Sequence, residues 1–499
     1  MTCRNCVWWK TSSLQSAIRL ACLLLLLATP SIAQDTVGTK PKEIEDSLEL
    51  SVVQAPIVNV TKRQKRVLLW SAEIGSSAGP ITVNSGMVFV GTNNSRDSGS
   101  DVDRAQLMCF QDIDGLLIWE NKHDRLPSRV HDLPTQAIKS QVTVDGNKAF
   151  YISNRGELVC LSLDVERGFP IGGVAERPQA KTDWTLDMVS QLGVFKRDAG
   201  DIGNPISSPL VMDQMVYCLT GQGSMSGYEY LSKGQPILTA PSFLAVNKRT
   251  GVEAWSSAVL GDGLMIGQWA TPVAVQVKGV TQVIFPGGDG VLYGFHPLTG
   301  KREWSLDCNS PARSQWSSGK RGTRCFFKSR PTVVKNILYA ALGQDLETPA
   351  NFAAPVVAVD LSPIGEFDAP SLLWSFENEN VGQISGEVRF EDDRVYSVSQ
   401  SGKLVVLNAK TGELLWLNRI GESSAMLGAP CLQNQRILVN TDSELLVFTM
   451  TDRPQCVVRY RFPERIENSP VFHNGIVYVT TCGHLWALRV DGTVSKKTL

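Results

Sequence analysis

Gly294-Phe-His-Pro-Leu-Thr299-Gly300-Lys-Arg-Glu-Trp304 is one copy of a phrase that this chain repeats. It stands again as Ala245-Val-Asn-Lys-Arg-Thr250-Gly251-Val-Glu-Ala-Trp255 and as Val406-Leu-Asn-Ala-Lys-Thr411-Gly412-Glu-Leu-Leu-Trp416. A looser copy runs from Cys109 through Asp114-Gly115 to Trp119. Self-similarity at a period of tens of residues marks a repeat architecture, and it governs the reading of everything around it.

Two short alternating apolar runs precede each copy. In residues 271–304, Thr271-Pro-Val-Ala-Val-Gln-Val is a first strand and Lys278-Gly279 a turn. Val283-Ile-Phe-Pro is a second strand, Val291-Leu-Tyr-Gly-Phe a third, and Arg302-Glu-Trp-Ser a fourth. Four short strands joined by Gly, Asp and Asn turns make an antiparallel meander. The Thr-Gly step suits the last hairpin because Gly accepts a positive φ. The Trp on the outer strand would cover that turn and the edge of the neighbouring sheet.

Seven further segments fit the template, with first strands near Pro80, Gln141, Pro209, Pro331, Glu387, Pro430 and Pro470. Residues 67–490 thus divide into eight units of roughly 50 residues, the size of a propeller blade. The last unit runs out of chain after Trp486, and a spare strand, Val67 to Ile74, precedes the first. Placing that strand on the outer edge of blade eight closes the ring and protects a free edge. The expected fold is therefore an all-β, eight-bladed propeller. Its blades are fastened by Trp70, Trp119, Trp184, Trp255, Trp304, Trp374 and Trp416.

Residues 1–33 read as an export signal. Arg4, Lys10 and Arg19 are basic, Leu20 to Ala28 are apolar, and Ser31-Ile32-Ala33 offers a small-x-small cleavage site. The apolar run falls short of the ~20 residues that span a bilayer, and no later segment reaches that length. Residues 34–66 are polar, end in Lys62-Arg63-Gln64-Lys65-Arg66, and read as a disordered spacer ahead of a propeller over 67–499. An exported protein, periplasmic or extracellular and without a membrane span in its mature form, is expected. The 48 basic and 49 acidic residues nearly cancel, which excludes a global field for nucleic acid.

The repeated phrase resembles the tryptophan-docking motif, Ala-x-Asp-x-x-Thr-Gly-x-x-x-Trp, of the quinoprotein (PQQ-like) β-propeller superfamily. The resemblance covers nearly all of residues 67–490. The superfamily holds pyrroloquinoline-quinone-dependent alcohol dehydrogenases and non-enzymatic relatives, such as the propeller lipoprotein of the outer-membrane barrel-assembly machinery. The enzymes' adjacent-cysteine pair has no counterpart here, nor does a haem Cys-x-x-Cys-His. Glu387, Asn204 and Asp289 are the nominees for the enzymes' calcium ligands, with no motif tying them together. The chain therefore reads as closer to the non-enzymatic members. The first reading is a non-catalytic scaffold that binds a protein or cell-envelope ligand through its long-loop face, monomeric and without cofactor, and the resemblance implies a role in envelope or outer-membrane protein assembly. A PQQ-and-calcium enzyme or small-ligand sensor using the channel is the alternative.

The insertions locate the working face. Loops 92–105, 221–241 and 343–354 fall between second and third strands, and 121–140, 186–205 and 306–328 between blades. In an up-and-down blade these leave from one end, where function concentrates, with 165–182 and 362–371 as exceptions at the other. Residues entering the first strands at that end include Lys139, Trp269, Lys328, Arg330, Glu387 and Glu467, candidates for a binding funnel at the channel mouth. Tyr228 and Tyr230 give the 221–241 loop aromatic contact surface. Cys308 and Cys325 share one inter-blade loop and are the candidate disulfide, worth about 3 kcal/mol if formed. Cys109 and Cys160 occupy equivalent third-strand positions and read as packing.

Overall fold

A computed structural model describes residues 54–60, 67–95, 104–124, 137–164, 179–194, 207–222, 239–260, 268–314, 322–344, 348–365, 369–384, 386–422 and 428–490. Within them lie eight antiparallel sheets of the expected propeller. Blade one is Ile81–Asn84, Met87–Asn93, Arg104–Gln111 and Leu117–Asp124. Blade four is Val273–Val277, Val280–Pro286, Val291–Phe295 and Arg302–Asp307. The second and third strands of every blade are almost wholly buried, as strands covered on both faces must be.

The ring closes as the sequence requires. Leu68–Glu73 pairs antiparallel with His484–Arg489, placing Trp70 opposite Ala487 as the outer strand of blade eight. One further strand was not expected. Ile57–Asn59 lies parallel on Cys456–Arg461, the outer strand of blade seven, pairing Val58 with Tyr460. Val60, just beyond it, is 1% exposed in the core shared by blades seven and eight. Part of the presumed spacer 34–66 is thus built into the domain, because blade seven carries no Trp on its outer strand and its edge is open to cover.

A single cross-strand layer recurs through the blades. It reads Phe89–Cys109–Trp119, Phe150–Cys160–Trp184, Tyr217–Ala245–Trp255 and Tyr339–Ala358–Trp374, from second to fourth strand. The aromatic and Trp rings of these four lie 6.0 or 6.1 Å apart, tilted. A small third-strand residue is what lets the two large rings meet above it, which is why the position takes Cys or Ala. In each blade the register slips beside the layer residue on the outer strand, as between Ala245 and Val246. Such a bulge adds twist and re-aims the side chain that follows it.

The bulge aims the Trp forward onto the next blade. Trp70 donates from Nε1 to Asp112 O, Trp184 to Lys248 O, Trp255 to Pro297 O and Trp374 to Ala409 O. In each case the ring lies over the Gly of that neighbour's turn: Gly115, Gly251, Gly300 and Gly412, all at positive φ. A Cβ on Gly300 would stand 2.5 Å from the Trp255 ring. So the turn that a Trp covers is not its own hairpin's but the next blade's.

Trp304 departs from this pattern. Its Nε1 donates to Gln282 Oε1 within its own blade at 2.6 Å, and its ring lies over Gly294. Gly294 leaves the layer position without a side chain, so the indole folds back. Blade five lacks the Thr-Gly turn, and its Gly365 faces Val280 instead.

Candidate functional site

Inside the ring, side-chain bonds knit several of the first strands to the next. Thr82 Oγ1 donates to Val142 O, Thr143 Oγ1 to Pro209 O and Thr332 Oγ1 to Val388 O. At the strand entries Gln141 N donates to Ser208 Oγ, and Ser208 N to Thr271 Oγ1. This belt satisfies main-chain groups that face the channel, where no ladder partner exists. It makes the channel wall rigid and largely self-satisfied.

The channel-mouth candidates take several different positions on this wall. Lys139 Nζ donates to Ala78 O at 2.7 Å, and the Asn468 side chain donates to the same oxygen and to Gly79 O. Burial pushes the Lys139 ammonium below its usual range, with Glu467 acting against that shift. Glu467 is itself buried and paired with Arg465 at 2.7 Å. Lys139 and Glu467 therefore belong to one charged cluster where blades eight, one and two meet.

The others are elsewhere. Lys328 Nζ donates to Gln344 O, and Glu387 is ion-paired with Arg389. Trp269 is not exposed at the mouth: it is 6% exposed and packs on Phe326 with ring centroids 4.8 Å apart. Its place in a binding funnel is corrected to a core contact. Arg330 lines a cavity of about 270 Å³ together with Thr82, Gln141, Thr143, Pro209 and Val211. Tyr228 and Tyr230 lie outside the described residues, as do Asn204 and most of the 221–241 loop.

Cys308 and Cys325 are free thiols, and the expected bridge is not formed. Both are buried in the core between blades four and five, and burial pushes the Cys325 thiol up to about 12. The loop is clasped without sulfur. Arg324 Nη2 holds both oxygens of Asp307 at 2.8 Å, and Asn309 exchanges two bonds with the Cys325 main chain. Of the calcium nominees, Asp289 accepts from Tyr293 Oη at 2.5 Å and Glu387 is taken by Arg389. They stand on blades four and six. Among the described residues no group of three or more His, Cys, Asp or Glu could hold a metal ion.

One polar cluster escaped the sequence reading. His123, on the last strand of blade one, contacts Tyr151 Oη at 2.7 Å and Glu157 Oε2 at 3.3 Å on blade two. Glu157 also accepts from Ser153 Oγ and Arg155 Nε. Burial alone would raise the Glu157 carboxyl, but the bonds from His123, Ser153 and Arg155 hold it at about 2. Tyr151 is fully buried, and the cluster latches two blades together. Nothing in the spacing marks it, because its members lie on different strands of adjoining blades.

The two faces differ in character. The end with second-to-third and inter-blade connections carries the long insertions. The opposite end, whose turns are tight except for the connections after Ser162 and Asp360, exposes Ile113, Leu116, Val252 and Leu298 singly beside the Trp-docking glycines. Among the described residues no helix is long and apolar enough to cross a membrane.

Comparison with known proteins agrees with this architecture. A family model described as outer membrane protein assembly factor BamB matches residues 114–363 and 360–455, well over half the chain. BamB of Yersinia pestis is 24% identical over 270 residues, which are 50% of this chain and 56% of that protein. The chain thus spans little more than half the length of that curated relative. The fold is similar to BamB from Moraxella catarrhalis, at a TM-score of 0.55 and 16% identity over 86% of this chain and 98% of that one. It is also similar to Saccharomyces cerevisiae Sqt1, at a TM-score of 0.52 and 9% identity over 85% and 99%.

Proposed function

We propose a function for this chain on the ground that it belongs to the outer membrane protein assembly factor BamB family. It acts as an exported, non-catalytic scaffold that binds a protein or cell-envelope component through its long-loop face, in the assembly of outer-membrane proteins. The family match carries this reading, since it spans the three full copies of the repeated phrase. Residues 1–33, with their basic start, apolar run and small-x-small end, supply the route out of the cytoplasm.

The scaffold's construction fits that work. A ring closed by its own N-terminal strand leaves loops free to vary on a frame that does not move. Most of the insertions gather at one end of the blades, and the 221–241 loop brings Tyr228 and Tyr230, residue types favoured in interface cores. The partner is another protein of the assembly apparatus, and the chain binds it as a monomer.

The test is affinity capture from envelope extracts with the full chain and with a variant lacking residues 223–238. The same partner should be recovered by the first and lost by the second. Capture of an unchanged set by both would refute the loop-face reading. Dye reduction by the pure chain with PQQ and calcium would refute the non-catalytic one.

A further inference from the structure

The axial channel holds an arginine for which the protein provides no partner among the described residues. Arg330 stands just before Thr332–Val334, the first strand of blade five. Yet it lines one cavity with Thr82 of blade one, Gln141 to Val144 of blade two and Pro209 to Val211 of blade three. A wall drawn from blades one, two, three and five can lie only on the axis. At about 270 Å³ the cavity has room for roughly nine waters at ~30 Å³ each, which is the size of a small organic molecule.

The chemistry of the lining narrows the occupant. The acidic groups at the strand entries are already engaged, Glu387 by Arg389 and Glu467 by Arg465. Among the described residues, neither of these carboxylates is left for Arg330. A guanidinium presents a planar fork of donors that fits an oxyanion in two parallel bonds. The lining hydroxyls have spent their protons, since Thr82 donates to Val142 O and Thr143 to Pro209 O. They retain lone pairs only. The remaining wall is Gln141, whose amide donates to Ile81 O, and the carbon of Val142, Val144, Pro209, Leu210 and Val211.

From this juxtaposition we propose that Arg330 anchors an oxyanion site in the axial channel, and that the site takes a short organic carboxylate whose carbon body lies against the first strands of blades two and three. The charged end pairs with the guanidinium, and the aliphatic part displaces water from the valine and leucine side chains. Inorganic phosphate shares the charged group but lacks the carbon body. This site is separate from the loop face, and neither reading depends on the other.

Calorimetric titration of the full chain with butyrate and with inorganic phosphate tests the proposal. Butyrate should bind one to one, weaken as salt rises, and raise the melting temperature. R330Q should bind it at least tenfold more weakly while melting, without ligand, at the same temperature as the parent or higher. R330K keeps the charge without the fork, so it should also weaken binding and serves if R330Q fails to fold. Deleting residues 223–238 should leave butyrate binding unchanged. Failure of the parent to bind butyrate, or binding by R330Q or R330K as tight as the parent's, would overturn the site. Phosphate binding as tight as butyrate would overturn the role of the carbon wall.

Discussion

The indole N–H of Trp255 lies 2.7 Å from the main-chain oxygen of Pro297 in the next blade, and its ring covers Gly300 three residues on. One Trp thus closes a neighbour's hairpin by a hydrogen bond and by filling the space a side chain would need. Gly300→Ala should therefore cost two things at once: about 1–2 kcal/mol for a left-handed backbone at φ +67, and the displacement of the ring. Gly146→Ala supplies the control, since Gly146 has φ +57 and nothing within 4 Å of a Cβ. Denaturant unfolding should show the first variant clearly less stable than the second. Equal losses would mean that the ring contact contributes nothing.

The indole nitrogen is separable from the ring. In Trp255→Phe the oxygen of Pro297 still accepts from Tyr217 Oη at 3.2 Å. Loss of the stronger of two bonds should cost about 1 kcal/mol beyond the change in packing. Trp119 Nε1 has no partner among the described residues. Trp119→Phe should accordingly be milder than Trp255→Phe when the two are compared by thermal melting.

How far the sequence carried this picture can be judged on these residues. The blade count, the turns and the closing strand follow from spacing and alternation, which are local. That Trp255 docks on Gly300 rather than Gly251 is a matter between copies, and only the three-dimensional ring decides it. The folding back of Trp304 had a local sign, Gly294 in the layer position, but its meaning depended on knowing that the layer exists. At the channel mouth the strand entries were legible, while side-chain direction was not. Trp269 packs on Phe326, and Glu387 is ion-paired with Arg389 two residues on. The latch of His123, Tyr151 and Glu157 joins residues on different strands of adjoining blades, and no short-range pattern encodes such a meeting.

The small strand Ile57–Asn59 makes a sharper demand than its length suggests. Val60 is buried against blades seven and eight, so Val60→Ala should destabilise the domain by about 2 kcal/mol. A residue in a solvated spacer would show no change in unfolding. Removing residues 54–60 should also bare the outer edge of blade seven and raise aggregation, measured by light scattering.

Glu157 gives the blade-one latch a pH signature. Its carboxyl titrates near 2 in the fold, against an ordinary value of 4.5. A depressed pKa stabilises the fold above the unfolded value, so the contribution is present at neutral pH and lost as pH falls from about 4.5 toward 2. Glu157→Gln should cost on the order of 3 kcal/mol at pH 7, from a shift worth ~1.4 kcal/mol per unit. Near pH 2 parent and variant should unfold alike. A pH-independent difference between them would contradict the ionic latch.

The central claim is that partners meet the long-loop end and not the tight-turn end, where Leu298 and Val252 are exposed. Site-specific photo-crosslinking in intact cells decides it most directly, with the crosslinker placed at Tyr228 in one chain and at Leu298 in another. The account predicts a discrete protein adduct from Tyr228 and none from Leu298. Adducts from Leu298 alone, or the same adducts from both, would contradict it.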